Sequence, residues 1–304
     1  MNYPKGLNVR NSVEFVKNVE NLELGENEIM VSFDVVGLFP NIPLDISFAA
    51  MREFLSTSDL SQNDQTVLMK LSEICMNQNT FKFRDSFFKQ KSGASIGNSA
   101  SPLISDFFMN FFENQLQKET WFPRVWWRYV DDVFAIVKND KVDETIRKLN
   151  SFYPTIQFTK EVEENGKISF LDLKISRTDR KIQFEIFRKP TDCQLFIRQD
   201  SYHHQSHQHA AFHSMFFRLF NIPTSIESFN KELKYIDETA KINGFSRKIL
   251  SKIRMKQERS FYRSNATSLR RERDMNDENC TYIGIPFLWK LNRKTKKKVE
   301  QIQH

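Results

Sequence analysis

Cysteine, glycine and proline are all scarce in this chain of 304 residues. Its three cysteines, Cys75, Cys193 and Cys280, are too few and too scattered for a disulfide framework or a zinc site, and they suit a reducing compartment. Eight glycines and nine prolines exclude collagen-like and low-complexity architectures. No apolar run approaches the ~18 residues that a membrane-spanning helix needs, and the start Met-Asn-Tyr-Pro-Lys-Gly does not read as a signal peptide. No internal repeat is visible. Phenylalanine, by contrast, is abundant at 29 residues, which gives the chain much apolar surface to bury. The length is enough for a sizeable core and two subdomains.

The net charge of +7 is unevenly spread. Residues 247–273 carry ten Lys or Arg against two acids, and residues 290–298 add six bases and no acid. The front of the chain is therefore acidic by comparison, a division that suits metal binding ahead of phosphate binding. A basic run is often only a solvated helix face. Phe261, Tyr262 and Leu269 within the first run favour instead a surface that tracks a nucleic-acid backbone, with Arg254, Lys256 and Arg259 as candidate phosphate contacts. The second run reads as a nuclear-import signal or as a tail.

Two segments carry the chemistry. In Arg128-Tyr129-Val130-Asp131-Asp132-Val133-Phe134, apolar β-favouring runs flank adjacent carboxylates, the pattern of a β-hairpin with two like charges at its tip. Aspartate is also an ordinary turn residue. In Glu28 to Phe39, one acid, Asp34, lies in an otherwise apolar strand, where burial is costly without a partner or a metal; the alternative is an outward-facing residue on a half-buried strand. Three carboxylates from separate strands match a two-ion phosphoryl-transfer site, and oxygen ligands without cysteine suit Mg²⁺ or Mn²⁺.

The remaining pattern predicts an opening helix over 11–19 with Ser12 as a possible cap, helices over 44–55, 65–76, 101–117 and 143–152, and a hairpin strand over 81–89. Leu68, Leu71 and Cys75 stand at helical spacing in the second of these helices, and Leu103, Phe107, Phe111 and Leu116 mark the inner face of the third. Strands are expected over 157–163, 168–176 and 181–188, with a turn at Asn165-Gly166. Helices over 212–220, 225–242 and 246–259 close the chain. This is an α+β order, an antiparallel sheet backed by helices and followed by a helical subdomain.

The ordered motifs resemble those of reverse transcriptases, most closely the Penelope-like retroelement enzymes akin to telomerase. Phe33 to Pro43 is similar to that family's first palm motif, Lys91 to Gly97 with Ser101-Pro102 to the second, and Tyr129-Val130-Asp131-Asp132 to the third. Phe158 to Glu161, Phe170 to Leu173 and Arg188 to Thr191 resemble later motifs. Together they span roughly residues 10–290. The resemblance implies a right-hand polymerase palm followed by a helical thumb. It divides the chain into a fingers remnant over 1–30, a palm over 31–195, a thumb over 196–275 and a basic connector over 276–304.

It also implies roles. Asp34, Asp131 and Asp132 would hold two Mg²⁺ or Mn²⁺ ions with the Val35 carbonyl. Phe39 would exclude a 2′-hydroxyl, although it reads equally as a core residue. Gly93 and Gly97 would let backbone approach the deoxynucleoside triphosphate and template, or simply form a turn. Lys160 is a candidate general acid, or a solvated lysine. Tyr129, Phe170 and Leu171 would contact nucleic acid. The expected activity is RNA-directed DNA synthesis on a primed RNA or DNA template, intracellular and preferably nuclear, with no membrane partner. The alternatives are a non-catalytic nucleic-acid-binding remnant, and a two-metal nuclease or RNA-templated RNA polymerase. Few residues precede Asp34, and no GIY-YIG nuclease is recognisable. The expectation is thus a chain truncated at the fingers, with further retroelement segments missing. The histidines at 203, 204, 207, 209 and 213 lack the cysteine or glutamate of a zinc motif; phosphate contact, or no role at all, suits them better.

Overall fold

Helix α1 (Ser12–Val19) takes its cap from Asn11, whose side chain accepts a hydrogen bond from the Glu14 N–H. Ser12, the cap expected from sequence, instead donates its hydroxyl to Asp172, 160 residues away. Strand β1 (Glu28–Val35) leads through the single turn α2 (Leu38–Asn41) to α3 (Leu44–Ser56) and α4 (Gln62–Asn77). The strands β2 (Thr80–Phe83) and β3 (Ser86–Lys89) form a hairpin before α5 (Ser101–Leu116). Next come β4 (Val125–Tyr129), β5 (Asp132–Lys138), α6 (Val142–Phe152) and β6 (Phe158–Val162). Strands β7 (Lys167–Phe170), β8 (Leu173–Thr178) and β9 (Lys181–Ile186) precede helices α7 (Gln205–Asn221), α8 (Ile226–Ile242) and α9 (Arg247–Asp274). This computed structural model describes residues 6–223 and 225–274. The described residues fall into two units divided after Glu258.

The central sheet runs β4-β5-β1-β6, with every neighbouring pair antiparallel. Side chains alternate between its faces. Val31, Phe33, Val35, Val133, Ala135 and Trp126 point to one face, where α3, α5 and α6 cover them in the first core. Met30, Phe134, Ile136 and Val125 point to the other, where α1 and the sheet β7-β8-β9 form a second core. Phe15 anchors that layer, its ring 5.0 Å from Phe134 and 4.8 Å from Phe170. Helices α7, α8 and the first part of α9 enclose a third core around Phe212, Phe216 and Ile236. No described helix is long and apolar enough to cross a membrane.

Three expectations need correction. The stretch expected as one strand over 168–176 is broken by a two-residue turn at Leu171-Asp172, so that β7 pairs with β8. Helix α4 does not bury the stripe of Leu68, Leu71 and Cys75; Met69 and Met76 face the core, and the leucines are exposed. Leu103 is likewise exposed on α5, while Ile104, Phe107 and Phe108 pack inward. In α4 helical spacing alone left two stripes to choose between, and tertiary packing chose the other; in α5 the expected Phe107 and Leu116 are buried and Leu103 is the residue that turns outward.

Candidate active site

The second layer stops short of one end of the central sheet. There the strand register lines up Tyr129, Asp132, Asp34 and Thr159 across the four strands on one face. Val35 donates its N–H to the Asp131 carbonyl at 3.1 Å. The neighbouring pair Asp34–Asp132 is therefore not directly hydrogen-bonded, and such pairs bring Cα atoms to about 4.5 Å with their side chains close together. Asp131 lies at the turn itself, because β4 and β5 are joined only by Val130 and Asp131. Glu161 stands opposite Ser32, one step further along the same face as Asp34.

Among the described residues these carboxylates find no protein cation, and the side chains of Asp34, Asp131 and Asp132 make no hydrogen bond or ion pair. Asp132 is pushed up to about 6 by partial burial and by the charges of Asp131, Asp34 and Glu161. Asp34 is raised by burial and by Asp131 and Glu161. Such repulsion is relieved by a multivalent cation between the acids. No three described carboxylate, histidine or cysteine side chains converge to enclose an ion by themselves. Mg²⁺ is commonly held by one or two carboxylates and completed by water and substrate phosphates. The N–H and C=O of a strand residue point the same way, so the Val35 carbonyl faces the Asp131 turn.

The turn is strained. Val130 is β-branched and has φ 57°, a conformation whose cost is of order 1–3 kcal/mol and which clusters at functional sites.

Beyond β1, the Asn41 side-chain amide donates to the carbonyls of Val36 and Gly37 and so ties the loop that carries Phe39. The Phe39 carbonyl accepts from Ala94 N–H at 2.7 Å, and a Cβ on Gly93 would lie 2.0 Å from the Pro40 carbonyl oxygen. With φ 70° as well, Gly93 is the residue that lets the 91–97 loop close onto the loop after β1. Phe39 itself is half-buried against the first core. Gly97 meets nothing within 4 Å; it lines an open groove of about 410 Å³ with Phe81, Asn79 and Ser95.

Other candidates stand elsewhere. Lys160 is opposite Phe33, so it points to the helix face, where it pairs with Asp143 of α6 and not with the carboxylate row. Phe170, expected to touch nucleic acid, is 3% exposed and packed among Phe15 and Phe134; its apolar ring belongs to the second core. Leu171 is half-buried at the neighbouring turn, and Tyr129 is exposed. Arg254 and Lys256 lie on α9 in the first unit and Arg259 in the second. Among the described residues the histidines join no group of metal ligands; His204 caps α7 and His213 meets the Gln257 amide. The basic run 290–298 and the 276–304 connector lie outside the described residues. Glu161 was missed in the sequence, although strand alternation from Thr159 would have put it on the carboxylate face.

Residues 3–186, more than half of the chain, match the family described as reverse transcriptase (RNA-dependent DNA polymerase). Residues 195–255 match the animal helix-turn-helix domain. Telomerase from Candida albicans, solved with the TWJ fragment of telomeric RNA, shares the fold at a TM-score of 0.54 and 11% identity, covering 73% of this chain and 40% of that one. Apo telomerase from Candida tropicalis aligns at 0.48 and 13% identity over 77% of this chain and 46% of its own. The 3Dpol RNA-dependent RNA polymerase of Sicinivirus aligns at 0.46 and 12% identity over 76% and 52%. The chain thus spans about half or less of these proteins' lengths. No curated protein matches it.

Proposed function

This chain belongs to the reverse transcriptase (RNA-dependent DNA polymerase) family, and on that premise we propose that it is the catalytic core of a Penelope-like retroelement enzyme that extends a primer with deoxynucleotides on an RNA template. The observation that carries the reading is the row Asp132–Asp34 beside the Asp131 turn, three carboxylates with no protein counter-charge.

In this reading Asp34, Asp131 and the Val35 carbonyl hold two divalent ions, with Asp132 as the third acid. Bound Mg²⁺ or Mn²⁺ supplies charge for the attacking 3′-hydroxyl and for the departing pyrophosphate. The chain's own residues set the geometry. The β1–β5 register fixes Asp34 against Asp132, and the tied loop after β1 holds the Phe39 ring where a 2′-hydroxyl would collide with it. Gly93 keeps that loop against the 91–97 segment. The open groove at Gly97 gives template backbone a path. Lys160 is left out as proton donor because Asp143 engages it.

The Penelope-like assignment is supported by the motifs from Phe33 to Thr191. The helices beyond residue 196 act as the thumb, and the exposed bases of α9 carry phosphate contacts. A nuclear site of action follows from the retroelement reading.

Primer extension on an RNA template tests it. Wild type incorporates deoxynucleotides with Mg²⁺ or Mn²⁺, and Asp131→Asn does not. Silence from folded wild type under both ions, or equal incorporation by both proteins, sinks the assignment. Phe39→Ala should admit ribonucleotides.

A further inference from the structure

We propose that Arg128 is a positioning residue of this site: its buried guanidinium fixes the Val130 carbonyl and, through it, the orientation of Asp131. The proposal rests on reading the carboxylates as cation ligands. Arg128 is 1% exposed. It lies opposite Val133 on β4 and so points to the helix face, behind the carboxylate row.

There α5 presents Asp106, Asn110 and Glu113 at helical spacing. The Arg128 Nε donates to Glu113 Oε1 at 2.7 Å, and its Nη2 donates to Glu113 Oε2 at 3.2 Å and to Asn110 Oδ1 at 3.1 Å. Its Nη1 donates to Asp106 Oδ1 at 3.0 Å and to the Val130 carbonyl at 3.2 Å. The acceptors are themselves held. Trp126 Nε1 donates to Glu113 Oε1 at 3.0 Å, and Asn8 Nδ2 to Asp106 Oδ2 at 3.2 Å. The Arg128 backbone is clamped too, its N–H on the Leu7 carbonyl at 2.9 Å and its carbonyl on the Val9 N–H at 2.7 Å.

Core stability alone does not call for this arrangement. A buried charge must recover a large desolvation cost, and an apolar side chain of similar volume often fills such a space as well or better. What an apolar side chain cannot do is grip a carbonyl. The strained Val130 conformation persists only if its surroundings over-determine it. The grips are the Arg128 Nη1 on the Val130 carbonyl, held in place by the fork that the same guanidinium makes with Glu113, and the Val35 N–H on the Asp131 carbonyl, so the peptide groups on both sides of the Asp131 Cα are fixed. A rigid planar fork suits this task; a lysine, a single flexible point charge, does not.

The test titrates Mn²⁺ against the protein, following free Mn²⁺ by electron paramagnetic resonance, alongside primer extension. Arg128→Lys should weaken Mn²⁺ binding and lower kcat by about tenfold each, the usual effect of losing a residue that orients a ligand, with KM for the nucleotide nearly unchanged. The same change is then made in a Val130→Gly background, where glycine takes the left-handed turn without strain. The effect of Arg128→Lys there should shrink to about twofold or less, a coupling that a space-filling role does not produce. If Arg128→Lys does not fold, Asp106→Asn takes its place and should weaken Mn²⁺ binding by about twofold or more. Equal Mn²⁺ binding in wild type and variant, or equal losses in both backgrounds, overturns the proposal. Wild type that binds Mn²⁺ but extends no primer overturns the polymerase reading instead, and the Mn²⁺ comparison still decides on Arg128. Wild type that neither binds Mn²⁺ nor extends a primer overturns both, and if it extends a primer without binding Mn²⁺ in the absence of nucleotide, an equal kcat in Arg128→Lys overturns the proposal.

Discussion

The turns at Val130-Asp131 and Leu171-Asp172 are built alike. Each joins two antiparallel strands through two residues, with left-handed backbone at the first, φ 57° and 56°, and an aspartate at the second. An aromatic residue precedes each. Their surroundings differ. Phe170 is buried, and Asp172 accepts hydrogen bonds from Ser12 and, at 2.8 Å, from Arg218 of α7. Tyr129 is exposed, and Asp131 makes no such bond among the described residues. One turn is thereby a joint between the sheet β7-β8-β9, α1 and the helical region; the other presents its acid to whatever enters. The left-handed first residue is common to both, and the partners of the aspartate separate structure from candidate site.

Removing each acid tests the contrast most strongly. Asp131→Asn should reduce primer extension by on the order of a thousandfold or more, as loss of a metal ligand does. Its thermal midpoint should hold or rise, because one of several repelling charges is gone. Asp172→Ala should do the reverse. It leaves Arg218 without its ion pair and should cost about 2 kcal/mol in a urea titration, with turnover per folded molecule largely kept. If Asp172→Ala abolished turnover in a stable protein, the second turn would belong to the site as well.

How much of this could be read beforehand follows the same division. The Asp131-Asp132 hairpin and the Asp34 strand were legible because an acid amid β-branched and aromatic residues is conspicuous. Their direct opposition was not, since register depends on pairing between distant strands. Phe170 is expected at nucleic acid only because Phe170 to Leu173 resembles a family motif; nothing local distinguishes a ring that meets Phe15 from a free one. Lys160 was legible as a cation and illegible as to face, which only its pairing with Phe33 decided. The Arg128 network joins two elements through four side chains and was out of reach of any local pattern.

A smaller effect sharpens the contrast through pH. The Asp132 carboxyl is raised to about 6 in the fold, against about 3.9 in an unfolded chain. Between these values the folded protein holds a proton that the unfolded chain has lost, so stability should fall as pH rises from about 4 to about 6. The group is only partly buried, and solvent screening reduces the loss to about 1 kcal/mol. Denaturation curves at the two pH values measure it. Asp132→Asn should flatten that dependence, and saturating Mg²⁺ should oppose it by stabilising the ionised form. An undiminished slope in Asp132→Asn would mean that the strain of like charges lies elsewhere.

The smallest expected effect concerns the residues that begin the turns. Glycine adopts positive φ without a Cβ penalty but is freer in the unfolded chain. At Val130, which is 40% exposed, these terms nearly cancel, and Val130→Gly should change stability by no more than about 0.5 kcal/mol. Leu171 packs against the second core, so Leu171→Gly loses apolar burial as well and should cost about 1 kcal/mol more than the valine change. Paired denaturant titrations resolve that difference if the slopes of the two curves agree. Equal costs would mean that Val130 has as much packing to lose as Leu171, and the distinction between an open turn and a packed one would fail at its first residue.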